Sequence, residues 1–175
     1  LNYHYNLDKK RIFVAGHQGL LGSSVCRRLE RENVEVLSVS HSELDLTRQS
    51  EVESWVETNR PEGIIIAAAK VGGIYANDTY PAEFIYQNLA IEKNLIHAAH
   101  LFNVEKLVML GSSCSYPKMA PQPILESSLM DGKPEPTNQW YTVAKIAGIK
   151  LCEAYRKQYG HDFISIIPAN LFGPG

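Results

Sequence analysis

Tyr141 and Lys145 are the residues of this sequence whose types and spacing most directly suggest chemistry. They stand four positions apart in a stretch, residues 139–159, whose pattern predicts a helix, so they lie one turn apart on the same helical face. A phenol has a pKa of about 10 in water, and a nearby ammonium favours its deprotonated form. The pair is a candidate acid–base couple in which Lys145 is predicted to lower the pKa of Tyr141. Such pairs also occur on the surfaces of helices that have no catalytic role. The assignment of Tyr141 and Lys145 to an active site therefore depends on whether the rest of the chain places other functional residues around them.

A hydroxyl and a thiol follow directly after a predicted strand. Residues 106–110 form a short apolar run, and Gly111 leads from it into Ser112, Ser113 and Cys114. The proline-punctuated segment that continues to residue 137 is long for a compact domain, and loops of that length usually carry function. Ser112 and Cys114 are therefore candidate site residues.

A glycine-rich turn near the N-terminus predicts a phosphate-binding site. It follows an apolar run, residues 11–15, that is predicted to be a buried strand, and it precedes a helical pattern. At such a junction glycine permits a tight turn and close approach of a pyrophosphate, and the helix N-terminus attracts the anion. The predicted dinucleotide-binding residues are Gly16, His17, Gln18, Gly19, Leu20, Leu21 and Gly22.

The elements that must position these residues alternate between apolar strands and amphipathic helices. Further strands are predicted at residues 34–39, 64–69 and 163–167. A brief extended segment is predicted at residues 43–46 and a long helix at residues 81–102. Alternation of this kind predicts an α/β fold, namely a Rossmann-type doubly wound parallel sheet with helices on both faces.

Ligands of such sheets bind beyond the carboxyl ends of the strands, so the residues that follow the strands should meet at one edge. The glycine turn, Ser112, Cys114 and the Tyr141 helix are all expected there. The segment after the last strand belongs to the same edge and adds Pro168, Ala169, Asn170 and Leu171.

Composition narrows the classes of function. The net charge is −2, and no run of basic residues exceeds the three at positions 9–11, so a nucleic-acid partner is not expected. No apolar run approaches the roughly 20 residues of a membrane span, and no Cys-x-x-Cys pattern suggests a metal site. Three scattered cysteines fit a reducing compartment, and we expect a cytoplasmic protein without a metal or a membrane partner.

The residues after the second predicted strand do not choose between the nicotinamide cofactors. A carboxylate there would bind the 2′-hydroxyl of NAD, and an arginine would meet the 2′-phosphate of NADP. The chain has Ser38, Ser40 and His41 instead. Both cofactors stay open on this pattern alone.

Taken together, the glycine turn, the serine after a mid-sheet strand and the Tyr141–Lys145 pair resemble the extended short-chain dehydrogenase/reductase family. Within that family the chain is similar to the branch that epimerises and reduces GDP-4-keto-6-deoxy sugars. The stretches that carry this closer resemblance are residues 15–19, 67–74, 77–81, 111–117, 135–138 and 144–153.

The resemblance implies an NADP(H)-dependent enzyme that epimerises C3 and C5 of the GDP-sugar GDP-4-keto-6-deoxy-D-mannose and reduces its C4 ketone. It implies that Cys114 is the epimerisation base, that Ser112 binds the 4-keto oxygen, and that Tyr141 protonates this oxygen during reduction. Lys145 would also hold the nicotinamide ribose, and residues 168–171 would line the nicotinamide. The resemblance further implies a homodimer formed through helices 81–102 and 141–159.

Two features depart from the family's pattern. Its epimerisation acid is a histidine that would follow residue 175, so residues 1–175 are expected to be a dinucleotide-binding domain, truncated before a C-terminal substrate domain that is absent from this sequence. The positive charge that the family offers to the 2′-phosphate is also missing near Ser40 and His41.

Two other functions are weighed against this interpretation. The first is another NAD(P)-dependent sugar-nucleotide epimerase or dehydratase; a dehydratase would place acidic residues beside Ser113, but none occurs between Gly111 and Leu125. The second is a catalytically silent dinucleotide-binding module, which would be expected to lack Tyr141 or Lys145.

Overall fold

Short apolar segments form the strands of one parallel sheet. In the computed structural model, which describes residues 5–173, they are β1 (Arg11–Ala15), β2 (Glu35–Leu37), β3 (Gly63–Ile66), β4 (Lys106–Leu110) and β5 (Asp162–Ile166). The order across the sheet is β2-β1-β3-β4-β5, and every neighbouring pair is parallel. The direction of winding changes between β1 and β3, and open α/β sheets bind ligands at such a switch point.

Strand β1 shows why the sequences of the strands are continuous apolar runs. Ile12 and Val14 point to one face of the sheet, where they pack in a cluster with Leu29. Phe13 and Ala15 point to the other face and belong to the larger core cluster. Because successive side chains of a strand alternate between faces, a strand covered on both sides needs apolar residues at every position.

The α-helices of the described chain cover both faces of this sheet. They are α1 (Leu20–Leu29), α2 (Gln49–Asn59), α3 (Ile74–Thr79), α4 (Pro81–Leu101) and α5 (Gln139–Tyr159). Helix α1 packs on one face, whereas α2, α4 and α5 contribute Val52, Leu95 and Ile149 to the core on the other. The predicted Rossmann-type doubly wound fold is therefore confirmed.

The two long helices agree with their predicted bounds. Helix α5 covers residues 139–159 as predicted, and Gly160 ends it with a φ of 75°, in the left-handed region that glycine adopts without strain. Helix α4 begins at Pro81, where a missing N–H costs nothing, and ends at Leu101, one residue before the predicted end.

Strands β2 and β3 are shorter than their apolar runs predicted, since β2 ends at Leu37 rather than residue 39 and β3 at Ile66 rather than residue 69. Two further local features differ from the sequence pattern. Residues 43–46 are not part of any strand: residues 43 and 46 lie in turns, and Asp45 Oδ1 accepts hydrogen bonds from the backbone N–H and the hydroxyl of Thr47 at 2.9 and 2.7 Å. The short helix α3, which no pattern predicted, follows β3; there Asn77 Nδ2 donates to the carbonyl oxygens of Gly72 and Gly73. Within residues 5–173, no helix has the length and apolar character needed to cross a lipid bilayer.

Candidate active site

The turn between β1 and α1 contains two glycines that the packing of the protein itself requires. Gly16 has a φ of 88°, and a Cβ there would lie 2.5 Å from the backbone nitrogen of Ala68. A Cβ on Gly22 would overlap the carbonyl oxygen of Gly16. These positions let β1, β3 and the first turn of α1 approach one another closely, as predicted for a dinucleotide-binding turn.

Gly19 is different, because the protein leaves room for a side chain there. Its Cβ would meet only the carbonyl oxygen of Gly16, at an ordinary 3.5 Å, and its φ of −76° is open to any residue. No side chain caps α1 at Gly19, and the first turn of α1 has no acidic residue. The N–H groups of this turn have no side-chain cap, and together with the open space at Gly19 they form a cradle that fits a pyrophosphate bound against the backbone.

A cleft of about 580 Å³ opens beside this turn at the switch point of the sheet. Its walls come from the β1–α1 turn, from the segment after β2 and from residues 67–71 after β3. Every predicted cofactor residue from Gly16 to Gly22 lines it, and the pattern-based analysis missed Gln87 and Ile91. His41, one of the residues that left the choice of cofactor open, lies in the same wall.

Buried Asn88 holds one wall of the cleft in place. Its Oδ1 accepts a hydrogen bond from the backbone N–H of Lys70 at 2.9 Å, and its Nδ2 donates to the carbonyl oxygens of Lys70 and Phe84 at 3.0 and 2.7 Å. The side chain therefore replaces a backbone partner for the segment that leaves β3. A polar residue on the buried face of a long helix is the sequence signal that could have identified it.

Tyr141, Ser112 and Cys114 are brought together where α5 meets the turn after β4. Ser112 Oγ accepts a hydrogen bond from the backbone N–H of Cys114 at 3.3 Å, which closes a 3₁₀ turn over Ser113–Ser115. Thr142 is fully buried, and its hydroxyl donates to the carbonyl oxygen of Cys114 at 3.3 Å. Thr142 thus ties this turn to the helix that carries Tyr141, a role that sequence reasoning missed.

Lys145 is buried, and its ammonium points at two oxygen partners. Nζ donates to the carbonyl oxygen of Leu110 at 3.0 Å and lies 2.9 Å from Oε1 of Glu92 on α4. The same Nζ is 5.7 Å from the centre of the Tyr141 ring. Glu92 was not identified from the sequence, although its position on the buried face of α4, eight residues after Phe84, was the available signal.

The structure corrects the expected effect of Lys145 on Tyr141. Burial is the largest influence and raises the pKa of Tyr141 to about 12; Ser112 lowers it, whereas the charges of Glu92 and Cys114 raise it further. Lys145, whose ammonium lies beside Glu92, is not among the causes of this shift. Tyr141 is consequently protonated near neutral pH, which suits a proton donor.

Residues 168–171 follow β5 but do not line the cleft, and Ala169, Asn170 and Leu171 are exposed. Ser112, Cys114 and Tyr141 do not line it either. Apart from residues 168–171, the structure thus gathers the predicted residues into a glycine-turn cleft after β1 and, after β4, a cluster of Ser112, Cys114 and Tyr141, here named the reactive cluster. Because β3 pairs with both strands, these two groups share the carboxyl edge of the sheet.

Comparison with known proteins identifies relatives of this arrangement. Residues 12–175 match the profile of the NAD dependent epimerase/dehydratase family. A GDP-L-fucose synthase of Sinorhizobium fredii (strain NBRC 101917 / NGR234) is 59% identical over 170 residues, which are 97% of this chain and 54% of that protein. GDP-L-fucose synthase 1 of Arabidopsis thaliana is 58% identical over 94% of this chain and 51% of its own length. The chain thus spans about half the length of the curated relatives it matches.

A solved structure shares the fold closely. MlghC, described as a GDP-mannoheptose C4 reductase from Campylobacter jejuni with NADP bound, superimposes with a TM-score of 0.91 and 36% identity. The match covers 97% of this chain and 54% of that protein. The similarity extends across the whole sheet and its helices.

Proposed function

The chain belongs to the NAD dependent epimerase/dehydratase family, and from that premise we propose that it forms the cofactor-binding part of an NADPH-dependent enzyme. The proposed reaction is the 3,5-epimerisation and 4-reduction of GDP-4-keto-6-deoxy-D-mannose to GDP-L-fucose. The names of its close relatives support this substrate. The observation that carries the proposal is the cluster of Tyr141, Ser112 and Cys114 at the same sheet edge as the glycine-turn cleft.

NADP(H) is the proposed cofactor. Support comes from the cradle at Gly19, from the free N–H groups of α1 and from the NADP bound to the similar reductase MlghC. When bound, NADPH would supply the hydride that reduces C4. The residues from Gly16 to Gly22 would hold the pyrophosphate, and Lys145 and residues 168–171 would contact the nicotinamide end.

The reactive cluster supplies the groups that the two stages need. A 4-ketone acidifies the hydrogens on C3 and C5, and Cys114 as thiolate would remove them, since a thiolate is a competent base for such carbon acids. Ser112 would hydrogen-bond the 4-keto oxygen, and protonated Tyr141 would donate its proton to that oxygen during reduction. The group that returns a proton on the opposite face is proposed to lie in the region that corresponds to the other half of the relatives.

The reaction is tested on the intact protein with GDP-4-keto-6-deoxy-D-mannose and NADPH. We expect NADPH absorbance to fall and NMR of the product to show inverted configuration at C3 and C5. A Cys114→Ser variant should lose inversion while still reducing un-epimerised substrate, and Cys26→Ser, a half-buried cysteine on α1, is the matched control. Equal loss of inversion and reduction in Cys114→Ser would contradict the role of the thiol.

A homodimer formed through α4 and α5 is proposed as well. Apolar side chains are exposed on both helices, with Tyr86 on α4 67% and Val143 on α5 44% exposed. A groove of about 490 Å³ runs between the two helices. Apolar patches of this kind mark interaction surfaces.

Light scattering of the intact protein tests the dimer. Wild type should have twice the monomer mass, and Tyr86→Glu should shift the protein to monomer because it buries a charge in the interface. Met119→Glu, in the exposed loop after β4, should remain dimeric. A monomeric wild type would refute the proposal.

The cytoplasm is the proposed location. Cys26, Cys114 and Cys152 are all free thiols, which suits a reducing compartment. Cell fractionation with an antibody to the protein tests this, and recovery in a secreted fraction would contradict it.

A further inference from the structure

The 2′-phosphate is the group that distinguishes NADPH from NADH, so the proposed cofactor needs a partner for it. In doubly wound sheets this partner follows the second strand, where an arginine accommodates the phosphate. Strand β2 pairs in parallel with β1, with Leu37 opposite Phe13, and the segment after β2 forms a wall of the glycine-turn cleft. No arginine of the described residues lines that cleft. The partner must be sought among the other basic side chains there.

The basic side chains that line the cleft in the described part of the chain are His17, His41 and Lys70. Lys70 follows β3, on the side of β1 away from β2, and its ammonium lies 3.3 Å from Oε2 of Glu83. His17 belongs to the turn that is predicted to hold the pyrophosphate, which NADPH and NADH share. Of the three, only His41 lies on the segment after β2.

The hydroxyl groups beside His41 are engaged within a tight turn. Ser40 Oγ donates to Oε2 of Glu43 at 2.5 Å, and the backbone N–H of Ser40 donates to the same oxygen at 3.1 Å. Ser42 Oγ lies 2.9 Å from Ser40 Oγ and is the donor of that bond, because the Ser40 proton is on the bond to Glu43. The backbone N–H groups of Glu43 and Leu44 close the turn on the carbonyl oxygen of Ser40. The exposed imidazole of His41 is thus the side chain of this turn best placed to meet a ligand.

Carboxylates and basic side chains flank His41. Glu43 and Asp45 follow it on the same segment, and the charge of His41 acts on Asp45, which also lines the cleft. Arg48 lies 3.7 Å from Asp45, precedes α2 and does not line the cleft. The charge of His17 acts on Glu43 from the turn after β1.

The flanking carboxylates keep their charge near neutral pH. Hydrogen bonds from Ser40 are the largest cause of the lowered pKa of Glu43, and hydrogen bonds from Thr47 are the largest cause of the lowered pKa of Asp45. An arginine also stays charged in this range, whereas histidine is the side chain type that changes its charge there. Any pH dependence of this wall is therefore expected from its histidines.

We propose that His41 selects NADPH over NADH by binding the 2′-phosphate with its protonated imidazole. The proposal deepens the function proposed above, on which it rests for the identity of the cofactor. A phosphate monoester carries a charge of about −2 above its second pKa of about 6, and a hydrogen bond between charged groups is about twice as strong as one between neutral groups. An imidazole loses its charge as the pH rises through neutrality, which an arginine does not. The preference for NADPH should therefore weaken as the pH rises.

Isothermal titration calorimetry of the intact protein with NADP⁺ and with NAD⁺ measures this preference as the ratio of the two Kd values. The oxidised forms serve as probes because they withstand weakly acidic buffer. In wild type the preference for NADP⁺ should fall about tenfold between about pH 6.5 and about pH 8.5, which corresponds to the loss of one charge-assisted hydrogen bond. His41→Gln should show the low preference at both pH values, and His41→Arg the high one at both. A wild-type preference that does not change with pH would overturn the proposal, because it would indicate a permanently charged partner such as Arg48.

His17→Gln is the matched control. His17 is predicted to contact the pyrophosphate that both cofactors share, so its effect cancels in the ratio of Kd values. The preference of this variant should keep the pH dependence of wild type. If the dependence were lost in His17→Gln and kept in His41→Gln, the assignment to His41 would be wrong.

Phosphorus-31 NMR of the 2′-phosphate in bound NADP⁺ gives a second readout at saturation. Its resonance should titrate at lower pH when bound to wild type or to His41→Arg than in free NADP⁺, because a nearby cation favours the dianion. Bound to His41→Gln it should titrate at higher pH than when bound to wild type, and equal midpoints would overturn the proposal. Neither measurement uses the GDP-sugar. A protein that binds NADP⁺ as expected but does not reduce that sugar would count against the proposed reaction and leave the role of His41 standing.

Discussion

At the scale of single residues, glycine has two distinct roles in the turn after β1. Gly16 and Gly22 are required by the protein's own packing, since a Cβ would collide with backbone atoms. Gly19 is not, since the nearest atom to its Cβ is at ordinary contact distance. A glycine that the fold does not need points to something that approaches from outside, which the proposed pyrophosphate does.

Gly19→Ala separates ligand binding from folding. We expect the affinity for NADPH to fall at least about tenfold, or about 1.4 kcal/mol, because the methyl group enters the cradle. The free energy of unfolding should change little. Isothermal titration calorimetry and urea denaturation measure the two quantities, with Gly73→Ala, whose Cβ would meet no atom within 4 Å, as the control. Undiminished affinity would place the pyrophosphate elsewhere.

Gly16→Ala, in contrast, is expected to lower the stability of the folded protein. Its φ of 88° and the contact of the new Cβ with Ala68 should cost about 1–3 kcal/mol of unfolding free energy. Urea denaturation measures this loss. A variant as stable as wild type would show that the turn can relax.

At the scale of elements, α4 and α5 meet β5 in an aromatic cluster at the end of the sheet away from the candidate site. His97 Nδ1 lies 2.8 Å from the Tyr155 hydroxyl, and His100 Nδ1 lies 2.7 Å from His161 Nε2. The His161 ring stacks on Phe163 with centroids 4.6 Å apart. This cluster joins the two helices to the edge strand through ring contacts and hydrogen bonds.

The stability of this cluster should depend on pH. Burial and then His100 lower the pKa of His161 below its usual value. Its contribution is therefore complete above the unfolded value of about 6.5 and is lost as the pH falls through the lower folded value. Urea denaturation should show wild type losing more stability than His161→Gln between about pH 8 and about pH 5.5. His41→Gln, at an exposed position, is the control, and equal pH dependence in His161→Gln and wild type would contradict the assignment.

At the scale of the whole molecule, the cleft joins parts of the chain that are distant in sequence. The turn after β1, the segment after β2 and residues 67–71 after β3 each supply a wall. A dinucleotide bound there would hold these segments together in the folded state only. Binding of that kind raises stability by mass action.

NADPH should therefore raise the unfolding temperature of the intact protein, by the equivalent of about 2.7 kcal/mol at a hundred times its Kd. The rise should be larger than that given by the same concentration of NADH, because NADPH is the proposed cofactor. Differential scanning fluorimetry measures both, and Gly19→Ala should reduce the effect. A larger shift with NADH would reverse the proposed preference.

Local patterns determined much of this protein. The apolar runs predicted the parallel sheet, and helix α5 has its predicted bounds. Both predictions succeed because a strand buried on two faces and a helix with one buried face each produce a recognisable pattern among residues close in sequence. The same holds for the glycine turn, whose residues line the cleft. The conformation of residues 43–46 and helix α3 were not predicted. Both depend on side-chain hydrogen bonds, accepted by Asp45 Oδ1 and donated by Asn77 Nδ2, and not on a periodic pattern of apolar residues.

The chemistry of the Tyr141–Lys145 pair was decided only by the tertiary structure. The sequence places a phenol and an ammonium one turn apart, and on that spacing alone the ammonium lowers the pKa of the phenol. The fold buries the phenol and also brings Glu92 from another helix into the space at Gly148, so that the pKa of Tyr141 is raised instead. The charge and the burial around a side chain depend on every element that packs against it, so they cannot be inferred from residue spacing within one helix.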